Sequence, residues 1–184
     1  MFSLQKEMCE DMVKVVDYDA TWIEDFKLLR NIYVNSLEDH LVRVEHVGST
    51  AVPGLCAKPK IDIDLIIEDY SCFTEVIDEL DELGYEYQGD FGIEGRESFK
   101  RKDEIVPWNG ISSVKPPHNL YVCPEDSREL ERHLAFRDHL REDDRTRKRY
   151  AELKRRLAVE HRDDREAYTE GKTKFIERVL QKIM

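Results

Sequence analysis

The feature that most constrains this chain is the run from Lys60 to Ile67, in which Ile61, Ile63 and Leu65 alternate with Asp62 and Asp64 before an apolar end at Ile66 and Ile67. A period of two over this length predicts a strand with one face in a core and the other displaying two carboxylates. On such a strand the carboxyl groups of residues i and i+2 stand about 6–7 Å apart on the same side. That is close enough to hold one or two divalent ions that bridge the phosphates of a nucleotide. Upstream, Gly48-Ser49-Thr50-Ala51-Val52-Pro53-Gly54 reads as a loop with demanding backbone geometry, and twelve residues separate Ser49 from Asp62. Glycine lets the backbone come close to a ligand, and a serine hydroxyl with neighbouring N–H groups can bond a terminal phosphate.

Other elements follow from periodicity. Val13 to Tyr18 reads as a short strand, and Asp19 as the N-cap of a helix with Trp22, Phe26, Leu29, Tyr33 and Leu37 on one stripe. Leu41 to Val47 reads as extended. Phe73, Val76, Ile77, Leu80 and Leu83 predict a second helix, ended by Gly84 and followed by a strand over Tyr85 to Gln88. Ser98 to Arg101 and Asn119 to Cys123 suggest further strands. Beyond Pro124 the pattern becomes helical. Asp126 and Glu129 resemble a capping box before Leu130, Leu134, Phe136 and Leu140; Tyr150, Leu153, Leu157 and His161 mark another helical face; and Thr169 is a candidate cap for a last helix with Phe175, Ile176, Val179 and Leu180. No internal repeat interrupts the 184 residues. They are read as one α+β domain, with a core over about 13–123 and a helical part over about 124–184.

Charge narrows the function classes. Residues 1–100 carry 9 Lys and Arg against 23 Asp and Glu, whereas residues 101–184 carry 20 against 17, within a formal net charge of −11. Such a chain is not expected to bind DNA or RNA non-specifically, but its more basic second half can face a small phosphate-bearing molecule. No apolar run is long enough to cross a bilayer, and Met1 to Glu10 lacks the apolar region of a secretion signal, so a cytoplasmic address is expected. Cys9, Cys56, Cys72 and Cys123 show no metal-ligand spacing and are read as small apolar residues.

The combination of Gly48-Ser49 with Asp62-Ile63-Asp64 resembles the signature of the nucleotidyltransferase superfamily. More closely, the stretch from Val44 to Asp62, VEHVGSTAVPGLCAKPKID, resembles the signature of the GrpB family within it. Gly95-Arg96, the strand from His118 to Val122, Phe136 to Arg141, Tyr150 to Lys154 and Tyr168 to Lys172 resemble further blocks of that family in order. The resemblance implies a nucleotidyltransferase-like core with a small mixed sheet packed by helices, plus C-terminal helices. Fusion of some members to dephospho-CoA kinase implies a setting in nucleotide-related metabolism.

The expected activity is Mg²⁺-dependent transfer of a nucleotidyl group from a nucleoside triphosphate to an acceptor that the sequence does not name. Asp62 and Asp64 are the candidate catalytic and metal-binding residues, and Gly48, Ser49, Thr50, Lys58, Arg96 and His118 the candidate phosphate-binding ones. One departure bears on catalysis: the superfamily brings a third carboxylate on a later strand, whereas Asn119 to Cys123 offers none, leaving Glu97 as a conceivable replacement. The alternative is a non-catalytic nucleotide or phosphometabolite binding module that regulates a partner. Phe175, Ile176, Val179 and Leu180 form the surface considered for a protein partner or second copy, with packing on the chain's own sheet as the first expectation. Gly171-Lys172-Thr173 is not a P-loop, because Glu166 stands where that motif needs glycine, although Lys172 could reach the site from the last helix.

Overall fold

A computed structural model describes residues 12–184; the readings made above for Met1 to Glu10 and for Cys9 lie outside these residues. Five strands form one mixed sheet: β1 (Arg43–Val47), β2 (Ile61–Ile67), β3 (Tyr85–Gly89), β4 (Glu97–Arg101) and β5 (His118–Pro124). Their order is β1-β2-β5-β4-β3. Only the central β2–β5 pair is parallel; β1–β2, β4–β5 and β3–β4 are antiparallel.

Helices α1 (Thr21–Ser36) and α2 (Phe73–Glu82) cover one face. Ile61, Ile63 and Leu65 of β2 meet Leu29, Tyr33 and Leu80 there, and none of the three strand residues is more than 1% exposed. Each such burial contributes roughly 1.5–3 kcal/mol, which pins the register of β2 because a one-residue slip would put the aspartates into this core. Asp19 Oδ1 accepts from the Thr21 N–H at 2.9 Å and from its hydroxyl at 2.8 Å, so it satisfies the start of α1 from two residues before the helix begins, with Ala20 at the N-cap position. Gly84, at φ 95°, ends α2 in a conformation costly for other residues.

Helices α3 (Arg128–Glu142), α4 (Asp144–Glu160) and α5 (Arg165–Ile183) lie over the other face. Ser127, Asp143 and Asp164 cap them in turn, accepting from the N–H groups of Leu130, Thr146 and Ala167. Two expected caps are therefore corrected. Ser127 displaces Asp126 because its hydroxyl also donates to the Gly95 carbonyl at 2.7 Å, tying the turn to the loop before β4. Asp164 displaces Thr169, which lies inside α5 with its hydroxyl on the Arg165 carbonyl. The strand expected over Val13 to Tyr18 reduces to one bridge, with Val16 and Ala57 exchanging both backbone hydrogen bonds. The C-terminal apolar stripe packs internally: the Phe175 ring stacks on Tyr150 at 5.2 Å between centroids, and Leu180 is buried. Among the described residues no helix is long and apolar enough to cross a membrane.

Candidate functional site

Alternation along β2 sends Asp62 and Asp64 to the face covered by α3–α5, and the sheet register supplies their neighbours. Asn119 of β5 lies beside Asp62, Tyr121 beside Asp64, and Glu45 of β1 opposite Asp64. The acid face is thus an interior, which the strand pattern alone does not reveal. Asp62 Oδ1 accepts from Asn119 Nδ2 at 2.6 Å. Burial raises the Asp62 pKa, with Asp64 adding to the rise, while the Asn119 bond, His133 and Lys172 oppose it. Gly48 passes directly over this carboxylate at φ 67°, and a Cβ built there would stand 2.2 Å from Asp62 Oδ2. Only glycine lets the loop approach the aspartate this closely.

Asp64 is completely buried, and its Oδ2 accepts from His133 Nδ1 of α3 at 2.7 Å. The other ring nitrogen faces Glu129 Oε1 at 3.4 Å. Burial works against charge on this ring, but hydrogen bonds and attraction from Asp64 and Glu129 outweigh it and raise the His133 pKa to about 9. An imidazolium, donating from both nitrogens, therefore sits on Asp64 at neutral pH. Asp64 Oδ1 is buried without a hydrogen-bond partner. Arg137, also of α3, donates to Glu45 at 2.7 Å and to the His46 carbonyl at 3.0 Å, locking the helix onto β1.

Two adjoining cavities share Ser49, Asp62, Thr169 and Lys172. The larger, about 430 Å³, is walled by Gly48, Arg96, Arg132 and His133; the smaller, about 240 Å³, by Thr50, Lys58, Lys60, Asn119 and Lys154. Cations concentrate around them. The Lys58 and Lys172 ammonium groups lie 5.2 Å and 4.6 Å from the centroid of the Tyr168 ring. Burial, reinforced by Lys58, pushes the Lys172 pKa down to about 8, although Asp62 opposes the fall. Burial pushes Lys154 further, to about 7; its ammonium donates to the Cys56 carbonyl and lies 4.9 Å from the Tyr150 ring. One buried carboxylate facing several partly desolvated lysines is a setting for anions, not for neutral ligands.

Gly48, Ser49, Asp62 and Arg96 come together at the larger cavity, and Ser49, Thr50, Lys58 and Asp62 at the smaller. Thr50 is buried, its hydroxyl 2.9 Å from His46 Nε2, and the Arg96 guanidinium lies 4.7 Å over the Tyr121 ring. Asp64 lines neither cavity and lies beneath His133. His118 is elsewhere: register pairs it with Ile61, on the face opposite Asp62. Its Nδ1 donates to the Pro116 carbonyl at 2.7 Å, which leaves Nε2 to accept from Tyr85 at 2.5 Å, with Tyr33 at 3.2 Å. Burial lowers its pKa to about 3, so it is a neutral core residue and no part of the acidic site. Glu97 shares that opposite face and accepts from Tyr70 and Tyr87 at 2.9 and 2.6 Å, which removes it as a third carboxylate beside Asp62. Sequence reasoning missed Lys60, Asn119, His133 and Lys154. Asn119 follows from register once β5 is known to pair with β2, and Lys60 stands one residue before β2, but His133 and Lys154 depend on how α3 and α4 lie across the sheet.

A mixed sheet that carries a Gly-Ser turn ahead of buried paired aspartates, with helices closing over them, defines a nucleotidyltransferase-like fold. Cid1 in complex with its product ApU has a similar fold, at a TM-score of 0.51 and 10% identity over 83% of this chain and 43% of that one. The chain belongs to the GrpB family, described as GrpB protein, which it matches over residues 12–182. The crystal structure of conserved protein GrpB from Enterococcus faecalis superposes at a TM-score of 0.78, with 32% identity, covering 92% of this chain and 96% of that one. The UPF0157 protein BH1888 of Halalkalibacterium halodurans is 31% identical over 92% of this chain and 82% of its own length. UPF0157 protein YqkA of Bacillus subtilis is 29% identical over 89% of this chain, which spans only 45% of YqkA.

Proposed function

We propose that this protein binds a nucleoside triphosphate across the two joined cavities and transfers its nucleotidyl group to an acceptor, with Mg²⁺ held at Asp62 and Asp64. The observation that carries this reading is the convergence of Lys58, Lys172 and Ser49 on Asp62, directly beneath Gly48. A crystal structure of Cid1 poly(U) polymerase bound to MgATP has a related fold at a TM-score of 0.50, which supports the choice of ligand.

The donor set fits a hard cation. Asp62 Oδ2 and Asp64 Oδ1 have no hydrogen-bond donor among the described residues, and Mg²⁺ commonly takes one or two carboxylates with waters and substrate phosphates. When bound, the ion supplies neutralisation and orientation of the phosphates. The chain's own groups do the rest. Ser49 and the adjoining backbone bond phosphate oxygens, Lys58 and Lys172 answer the charge that develops on departing pyrophosphate, and Asn119 holds Asp62 at a fixed angle. The acceptor attacks the α-phosphorus in line as the bond to the β-phosphate breaks.

One observation favours binding without turnover as a second reading: Asp64 already carries the His133 imidazolium, while Glu45 is tied to Arg137 and Glu97 lies on the far face. A transfer assay separates the two. The purified protein, Mg²⁺ and each α-³²P-labelled triphosphate are incubated with a small-molecule extract. A labelled product formed by the wild type and absent with Asp62→Asn supports transfer; equal labelling by both proteins would sink it.

A further inference from the structure

Beyond the ends of the strands lies a further cleft of about 540 Å³, of whose lining the nucleotide reading uses only Lys58. It is bounded by Lys58 and Lys60 ahead of β2, Pro117 and His118 at the start of β5, Arg101 at the end of β4, and Arg165 at the start of α5. Glu104 is the acid on its rim.

The charge here runs against the rest of the molecule. The chain has 40 acidic side chains for 29 Lys and Arg, and several arginines of the helices are paired: Arg132 with Glu177, Arg137 with Glu45, Arg147 with Asp144, Arg155 with Asp17. Among the described residues, Lys58, Lys60, Arg101 and Arg165 have no ion pair; burial, Arg165, Lys58 and Arg101 depress the Lys60 pKa, and the attraction of Asp62 opposes the fall without reversing it. Leaving four cations together unneutralised is costly unless a ligand answers them. Arg101 is also held in place. Its guanidinium donates to the carbonyls of Glu104 at 2.6 Å and Pro116 at 3.4 Å, while its Nε–H is buried without a partner.

We infer that this cleft binds the phosphate group of a small phosphate ester, a second ligand distinct from the nucleotide. The volume falls within the range of small-molecule sites, about 300–1,000 Å³. A phosphate monoester carries roughly −1.5 to −2 charges at pH 7, which balances four cations and one carboxylate better than a single carboxylate does. A planar arginine fork can also donate to two of its tetrahedrally arranged oxygens at once. Lys58, Lys60 and Arg165 line both this cleft and the smaller cavity at Asp62, so the ester would lie next to the nucleotide site. Its role as the acceptor rests on the transferase reading; its binding does not.

The test uses ¹⁵N-labelled full-length protein without nucleotide or metal, titrated with glycerol 3-phosphate while the arginine Nε–H signals are followed. The Arg101 signal, identified by its loss in Arg101→Gln, is expected to shift and saturate. Arg101→Gln and Lys60→Gln should each weaken binding at least about 10-fold, the scale of one lost charge-assisted contact, and Lys172→Gln should change it by less than about 2-fold. Lys60→Gln decides alone if Arg101→Gln does not fold, because the Lys60 ammonium donates no hydrogen bond among the described residues. Absence of saturable binding, loss only in Lys172→Gln, or tighter binding of citrate than of the phosphate ester would overturn the inference. Failure of nucleotide transfer would leave this result untouched.

Discussion

Gly48→Ala gives two separable costs at one position. The first is conformational: Gly48 sits at φ 67°, ψ −165°, a region nearly closed to side-chain-bearing residues, and forcing alanine into it costs about 1–3 kcal/mol. The second is steric. The new methyl would meet Asp62 Oδ2 at 2.2 Å, Cγ at 2.9 Å and Cβ at 3.0 Å, so the carboxylate must swing away and strain its 2.6 Å bond from Asn119. Losing that bond to a buried charged group adds roughly 1–3 kcal/mol. The reference is Gly54→Ala, also at positive φ (79°) but with nothing within 4 Å of the added methyl, for which only the backbone cost of about 1–2 kcal/mol is expected. Urea denaturation of both variants measures the difference. Gly48→Ala should be the less stable by about 1–3 kcal/mol, and the gap should narrow in an Asp62→Ala background, where the clashing carboxyl group is gone. Equal destabilisation by the two alanines, or a gap indifferent to Asp62, would refute the close approach of this loop to the aspartate.

The raised pKa of His133, about 9 against an ordinary 6.5, means that its pairing with Asp64 stabilises the fold fully below pH 6.5 and fades as pH climbs through 9. Between pH 6 and 9.5 the contribution of this pairing should fall by an amount on the order of 3 kcal/mol, read from urea denaturation as the difference between wild type and His133→Gln, because the lowered pKa values of Lys154 and Lys172 drive total stability the other way over the same range. Tyr85→Phe removes the 2.5 Å donor to His118 and should cost roughly 1–2 kcal/mol of stability while leaving affinity at the Asp62 cavity unchanged; a loss of nucleotide affinity would return His118 to the site. Lys172→Gln should weaken triphosphate binding about 10- to 100-fold with little change in melting temperature, as read by calorimetric titration and a thermal scan.

Periodicity carried the strands well because each has one decisive face. Ile61, Ile63 and Leu65 could only point into a core, and that placed Asp62 and Asp64 together on the other side. What the other side meets was not legible. Asp64 is an interior residue because α3 crosses the sheet and sets His133 on it, a contact between positions 69 residues apart. His118 and Glu97 misled for a related reason: each belongs to a short strand whose phase is settled by pairing, and register turns both away from Asp62. Capping residues were displaced where a competitor had a tertiary partner, as Ser127 has in Gly95. Lys154 carries no local signal at all; on its helix it reads as one more cation, and only packing makes it 1% exposed.

The proposed triphosphate site is Asp62 with its surrounding lysines, working with a divalent ion. Calorimetric titration of ATP, GTP, CTP and UTP, each with and without Mg²⁺, against the wild type and the Asp62→Asn/Asp64→Asn variant tests this directly. Binding of at least one nucleotide that strengthens with Mg²⁺ and disappears in the folded double variant is the predicted result. Nucleotide affinity that is the same in both proteins, or absent from the wild type under every condition, would contradict it.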